Sequence, residues 1–281
     1  MYADGLLKDR VIVITGGGSG LGRSMALRCA ELGAKVVISG RRQEKLDEVV
    51  AEIAADGGEA LGVPTDIRDY AAVEAMVEQT VARFGRIDSL VNNAAGNFIC
   101  PTEELSPGGF QAIVSIVLNG TFHVTHAVGK HMIAQGTGGS ILSITAVYAP
   151  AGSAFVVPSA CAKSGVLALT RSLAVEWARH KIRLNAIAPG PFPTKGAWSR
   201  LVPPGMDEEL FKKKIPLRRY GEHIELANLA VYLLSEQSGY VTGQQFAIDG
   251  GESVNMGMFN ALTELPPELV AAGMRAMRPK K

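Results

Sequence analysis

Four β-branched residues, Val11-Ile12-Val13-Ile14, run straight into Thr15-Gly16-Gly17-Gly18-Ser19-Gly20-Leu21-Gly22, and a helical stretch over 23–32 follows. Few folds tolerate this succession. Glycine lets the backbone turn within a few residues and lets a ligand approach the main chain. The helix that follows offers unpaired amide donors and a partial positive charge at its start. A glycine-rich string alone says little. Between a buried strand and a helix it predicts a dinucleotide's pyrophosphate against Gly16, Gly18, Gly20 and Gly22, with Thr15, Ser19 and Leu21 beside it. The alternative is a glycine-rich turn that holds nothing.

The rest of the chain repeats the alternation. Short apolar runs at 36–38, 87–91, 140–144, 182–187 and 246–248 read as buried parallel strands. Between them, 43–55 and 226–234 have helical periodicity, and Val73, Met76, Val77, Thr80, Val81 and Phe84 trace one face of a helix opening at Asp69. The pattern predicts an α/β doubly wound parallel sheet, a Rossmann fold, in one domain over 1–251. The stretch 189–216, rich in proline, glycine and charge, is read as a substrate lid, against the alternative of a plain surface connection. Residues 252–281 form an extension with a helix expected over 267–277 and Leu269, Val270 and Met274 on one face.

Composition removes several classes. Net charge is +1, so there is no footprint for nucleic acid. Three cysteines, widely spaced and without a Cys-x-x-Cys, fit reduced thiols rather than disulfides or a zinc site. No metal site is expected. The N-terminus lacks a basic segment followed by an apolar run, and no apolar stretch approaches a membrane span in the sequence. These features point to a cytoplasmic protein without a membrane partner.

The second strand ends Ser39-Gly40-Arg41-Arg42. An acid here suits the ribose hydroxyls of NAD, whereas arginine suits a 2′-phosphate, so the cofactor expected is NADP(H) with Arg41 as its contact. The alternative leaves Arg41 and Arg42 facing solvent. Two readings stand for Asp66: acceptor for the adenine amine, or cap of the helix near Asp69.

Thr15–Gly22, Asn92-Asn93-Ala94-Ala95-Gly96, Asn119, Lys163 and Pro189-Gly190 together resemble the short-chain dehydrogenase/reductase family over nearly the whole chain. Within it the segments 92–99 (NNAAGNFI), 117–121 (VLNGT), 152–163 (GSAFVVPSACAK) and 190–201 (GPFPTKGAWSRL) resemble 2,4-dienoyl-CoA reductases. The departures agree. The wider family's proton-donating tyrosine, four residues before Lys163, is here Ser159, and its hydrogen-bonding serine is Ala146. An aliphatic hydroxyl is far less acidic than a phenol, so ordinary carbonyl reduction lacks its acid.

The resemblance implies NADPH-dependent reduction of a 2,4-dienoyl-CoA to an enoyl-CoA in unsaturated fatty acid β-oxidation. It assigns Asn97 and Tyr148 as donors to the thioester oxygen. Unaided, Tyr148 reads as an amphipathic residue at the edge of the core and Asn97 as a turn residue. It implies that Lys163 binds the nicotinamide ribose, supported by Ser159, with Asn119 organising the surroundings of Lys163. Asn93, Pro189, Gly190, Pro191 and Phe192 complete the cofactor site. Arg68, Ser106 and Arg200 contact the acyl-CoA. Lys212-Lys213-Lys214 reads as a solvated helix face rather than a CoA contact. A homotetramer is implied as well. Two rivals remain: a reductase of another acyl thioester or carbonyl, such as a 3-oxoacyl group, and a non-catalytic NADP-binding sensor.

Overall fold

The first apolar run becomes β1 (Val11–Thr15), every residue of it buried in the computed structural model, which describes residues 2–194, 196, 205 and 207–277. Six more strands follow: β2 (Lys35–Gly40), β3 (Glu59–Pro64), β4 (Ser89–Asn92), β5 (Gly139–Ile144), β6 (Ile182–Pro189) and β7 (Gln245–Ile248). All pair in parallel, in the order β3-β2-β1-β4-β5-β6-β7. The order reverses between β1 and β4, which opens a crevice at their carboxyl ends where such sheets hold ligands.

Helices cover both faces: α1 (Gly20–Glu31), α2 (Gln43–Ala55), α3 (Tyr70–Phe84), α4 (Pro107–Gln135), α5 (Val157–Glu176), α6 (Glu208–Lys214), α7 (His223–Leu234) and α8 (Pro267–Ala276). Side chains alternate along a strand, so β1 feeds two cores. Ile12 and Ile14 join Met25 and Ala26 of α1, Leu46 of α2 and Leu226 of α7. Val11 and Val13 join Val73 of α3 and Val124, Val128 and Met132 of α4. Each such buried aliphatic side chain contributes about 1.5–3 kcal/mol relative to exposure.

Several element ends shift by a residue or more, and three features stand out against expectation. β4 starts at Ser89 rather than 87, because the Asp88 carboxylate, at 2.9 Å, takes the Val11 amide ahead of the ladder. α1 starts at Gly20, so Leu21 and Gly22 belong to its first turn. α4 is one continuous run of 29 residues with a π-helical turn at Ser115–Asn119. Among the described residues, α4 is the one helix long and apolar enough to cross a membrane, which corrects the expectation that nothing approaches a span. Half of its apolar window is buried inside the protein, as befits a core helix. The extension keeps α8, none of whose residues is buried.

Candidate active site

The glycine loop is built by close approach. Gly16 has φ +66°, and a Cβ there would lie 2.9 Å from Asn93 Nδ2. A Cβ on Gly22 would lie 2.3 Å from the Gly16 carbonyl, so only glycine lets α1 pack so near β1. Ser19 precedes α1 in extended conformation and makes no side-chain cap bond, which leaves the first amides of α1 open. This cradle fits a dinucleotide's pyrophosphate.

The side chains of Thr15 and Asn93 build the wall behind the glycine loop. Thr15 is buried; its hydroxyl accepts from the Asn93 and Ala94 amides at 3.0 Å. Asn93 Nδ2 donates to the carbonyls of Thr15 at 3.0 Å and Gly16 at 3.3 Å. Both residues lock the turn after β4 onto the glycine loop. They shape the site from behind.

On the adenosine side, the cap of α3 is Asp69, whose carboxylate accepts from the Ala71 and Ala72 amides. The capping reading of Asp66 therefore falls. Asp66 is instead gripped by Arg68 through Nε at 2.9 Å and Nη2 at 2.5 Å. Hydrogen bonds from Arg68 hold the Asp66 carboxyl down at about 2, with a smaller push from Arg41. Arg41 itself is exposed at the end of β2.

The chemistry-bearing pair meets. Asn97 Nδ2 donates to the Tyr148 hydroxyl at 3.4 Å, and Tyr148 lies 3.0 Å from Ser159 Oγ. Asn97 Oδ1 accepts from the Phe98 amide at 2.9 Å, which fixes which end of the amide faces the phenol. Tyr148 sits in a turn whose Ala151 and Gly152 amides donate back to its carbonyl. Ser164 of α5 donates to the Ala149 carbonyl and clamps the same turn. Burial raises the Tyr148 hydroxyl above a phenol's usual range, partly offset by Ser159. A neutral phenol beside an amide is a pair of donors for a developing oxyanion.

Lys163 stands one helical turn past Ser159, and both are buried on α5. Its ammonium donates to the Ile144 carbonyl at the end of β5. Burial lowers it to about 8. Asn119 is not with them. It is exposed and lines an open cleft of about 700 Å³ with Arg68, Asp69, Gln111, Ser115 and His123; Asn97, Tyr148 and Lys163 do not line it. Val117, two residues back and about 200° round the helix, is the side chain that packs against Ala162 and Val166 of α5. The expected role of Asn119 beside Lys163 is thereby corrected.

Ser106 caps α4 by accepting from the Gly109 amide at 3.1 Å, with its own hydroxyl hydrogen still free to donate. Arg200, the third residue expected at the acyl-CoA, lies outside the described residues. In the segment after β6, Gly190 donates to the Ile248 carbonyl at 3.0 Å and Pro191 accepts from Gly221. The Phe192 side chain is turned into the core against Gly221, which leaves its backbone to face a cofactor. Lys212 pairs with Glu209 at 2.7 Å, as a solvated helix face would.

Two residues of this region were not anticipated. Phe155 has φ +63° and is exposed, while its carbonyl accepts from the Cys100 amide at 2.9 Å, joining the loops that carry Asn97 and Tyr148. His223 bridges α1 and the segment after β6. Phe155 lies inside the segment 152–163 without being singled out there, and His223 leaves no periodic or motif signal.

Comparison with known proteins supplies an independent finding. The family model described as enoyl-(acyl carrier protein) reductase matches residues 16–253. The chain is 44% identical over 250 residues to a probable (2E)-enoyl-CoA-producing 2,4-dienoyl-CoA reductase of Bacillus subtilis, covering 89% of this chain and 98% of that protein. It is 45% identical over 253 residues to a probable (3E)-enoyl-CoA-producing 2,4-dienoyl-CoA reductase 3 of Caenorhabditis elegans, covering 89% of this chain and 82% of the relative. A crystal structure of a short chain dehydrogenase from Bacillus anthracis superposes with a TM-score of 0.83 at 45% identity, covering 90% of this chain and 99% of that one.

Proposed function

We propose, on the premise that this chain belongs to the short-chain dehydrogenase/reductase family, that it reduces a 2,4-dienoyl-CoA to an enoyl-CoA with NADPH, in the degradation of unsaturated fatty acids. The observation that carries the reading is the meeting of Asn97 and Tyr148, at 3.4 Å, in a site whose usual acid is replaced by Ser159. Carbonyl reduction needs a proton donor for an alkoxide. Reduction of a conjugated thioester needs donors for a dienolate oxygen, and these two side chains are such donors.

When bound, the reduced nicotinamide supplies the hydride. The residues do the rest. The glycine loop and the open amides of α1 receive the pyrophosphate. Arg41 supports NADP(H) over NAD(H) as the cationic group next to the 2′ position. The Lys163 ammonium, dry and one turn from Ser159, binds the nicotinamide ribose and adds positive field near the growing charge. As negative charge gathers on the thioester oxygen, Asn97 Nδ2 and the Tyr148 hydroxyl donate to it together. Ser159 can donate its hydrogen to Tyr148, which leaves the phenolic hydrogen pointed at the substrate. A proton from solvent water then adds to a carbon of the dienolate and completes the enoyl thioester, so that one hydride and one proton are consumed. Arg68 and Ser106 border the place for CoA. The same reading keeps the homotetramer and the cytoplasm.

NADPH and NADH oxidation against 2,4-hexadienoyl-, 2,4-decadienoyl- and 3-oxoacyl-CoA tests it. The expected result is kcat/KM at least tenfold higher for a dienoyl than for a 3-oxoacyl thioester, with NADPH preferred. Faster 3-oxoacyl turnover would overturn the substrate, and tight NADPH binding without any turnover would favour a sensor.

A further inference from the structure

We propose that His223 is a positioning residue that fastens the segment after β6 onto the cofactor helix, so that NADP(H) affinity depends on its ring. The inference rests on the reading of Thr15–Gly22 as the dinucleotide site.

His223 opens α7. Its Nδ1 lies 2.9 Å from Ser24 Oγ on α1, and its Nε2 lies 2.9 Å from the Pro193 carbonyl. A carbonyl can only accept, so Nε2 carries a hydrogen. In the neutral ring Nδ1 is then an acceptor and the Ser24 hydroxyl its donor. The imidazole thus joins two chain segments that are not otherwise neighbours in sequence. Both segments border the pyrophosphate cradle. Ser24 Oγ is also 3.2 Å from the Gly20 carbonyl, at the first residue of α1. Thr194, next to Pro193, crosses Gly20 so closely that a Cβ on Gly20 would stand 3.2 Å from Thr194 Cγ2. Ser24 has one hydroxyl hydrogen, and given to Nδ1 it leaves the Gly20 carbonyl as a neighbour only, so ring, serine and the Pro193 carbonyl form one circuit between α1 and the segment after β6, with Gly20 beside it.

The local fold does not require this ring. α7 is already capped by a reciprocal pair, Glu222 and Glu225, with the Glu225 carboxylate accepting from the Glu222 amide at 2.8 Å. The packing of α7 on α1 is carried by Leu226, Ala227 and Ala230 against Met25, Ala26 and Cys29. The first position of a helix commonly takes proline, whose missing N–H is no loss there. A histidine at this position contributes little to α7; what it adds is two directed bonds between the site's walls.

The test measures NADPH dissociation constants and melting temperatures for the full chain as wild type, His223→Phe, His223→Gln, Ser24→Ala and the double variant His223→Phe with Ser24→Ala. Glutamine places an acceptor and a donor at about the imidazole spacing and can remake both bonds. His223→Phe should weaken NADPH binding about tenfold, or 1.4 kcal/mol, with His223→Gln within about threefold of wild type. The double variant should bind no worse than His223→Phe alone, since both remove one circuit. NADPH binding within twofold of wild type in folded His223→Phe would overturn the inference alone, as would equal losses in the Phe and Gln variants. If His223→Phe does not fold, unchanged affinity in Ser24→Ala would overturn it. Failure of wild type to bind NADPH or NADH would remove the cofactor reading and this inference together.

Discussion

Tyr148 is the residue on which the proposed chemistry turns. Burial raises its hydroxyl above the ordinary phenol value, which favours the neutral, hydrogen-donating form. A neutral phenol donates to an oxyanion without needing to release its proton. Tyr148→Phe removes one donor and leaves the ring's packing, so kcat on a dienoyl-CoA should fall by about 10²–10³ with little change in KM. Steady-state kinetics on the purified variant checks this; wild-type kcat would remove Tyr148 from the oxyanion site. Lys163 gives the pH dependence. Its folded value, about 8, is below the usual lysine value, so the ammonium proposed to bind ribose is lost as pH rises through about 8. kcat/KM should therefore fall on the alkaline side with an apparent pKa near 8. A flat profile to pH 10 would contradict it. For stability the sign is the opposite of activity. The folded state binds fewer protons than the unfolded one between about 8 and the usual lysine value, so this lysine's contribution favours folding as pH rises there.

At the scale of elements, the site is two loops and a helix start. The loop after β4 brings Asn97, the turn after β5 brings Tyr148, and the Cys100–Phe155 backbone bond at 2.9 Å ties them. The glycine loop tolerates no side chain at Gly22, where a Cβ would meet the Gly16 carbonyl at 2.3 Å and Asn93 Nδ2 at 2.5 Å. Gly22→Ala should thus push α1 off β1. Calorimetric titration should show NADPH affinity reduced at least tenfold, with a stability loss of about 1–3 kcal/mol from the clash. Unchanged affinity would mean that the loop has room the structure denies. The loop was legible because its context is local: strand, glycines and helix are consecutive. The π turn at Ser115–Asn119 was not. It turns Val117 inward and Asn119 outward, and nothing in the spacing of Asn119 from its neighbours announces that shift.

For the whole molecule, a seven-stranded parallel sheet covered on both faces leaves a C-terminal extension that buries little. Val254, Met256, Met258, Phe259, Leu269 and Met277 are all exposed. A row of apolar side chains in water is a surface that association covers. With the homotetramer proposed above, light scattering should return about four times the 29.7 kDa chain. Trimming the chain after residue 251 should lower that mass. A monodisperse monomer would contradict the proposed assembly.

The alternation of most strands and helices, the glycine loop between β1 and α1 and the absence of the ordinary acid at position 159 were set by the sequence itself, whereas β3 (Glu59–Pro64) left no unbroken apolar run. Each depends on residues adjacent in the chain or at fixed helical or strand periods, which local sterics and burial read directly. Tertiary structure alone decided which polar groups find each other. Asn93 went to the Thr15 and Gly16 carbonyls and His223 to a serine 199 residues away. Hydrogen bonds act over about 3 Å, and whether two distant side chains come that close depends on how every helix between them packs. No periodicity carries that information.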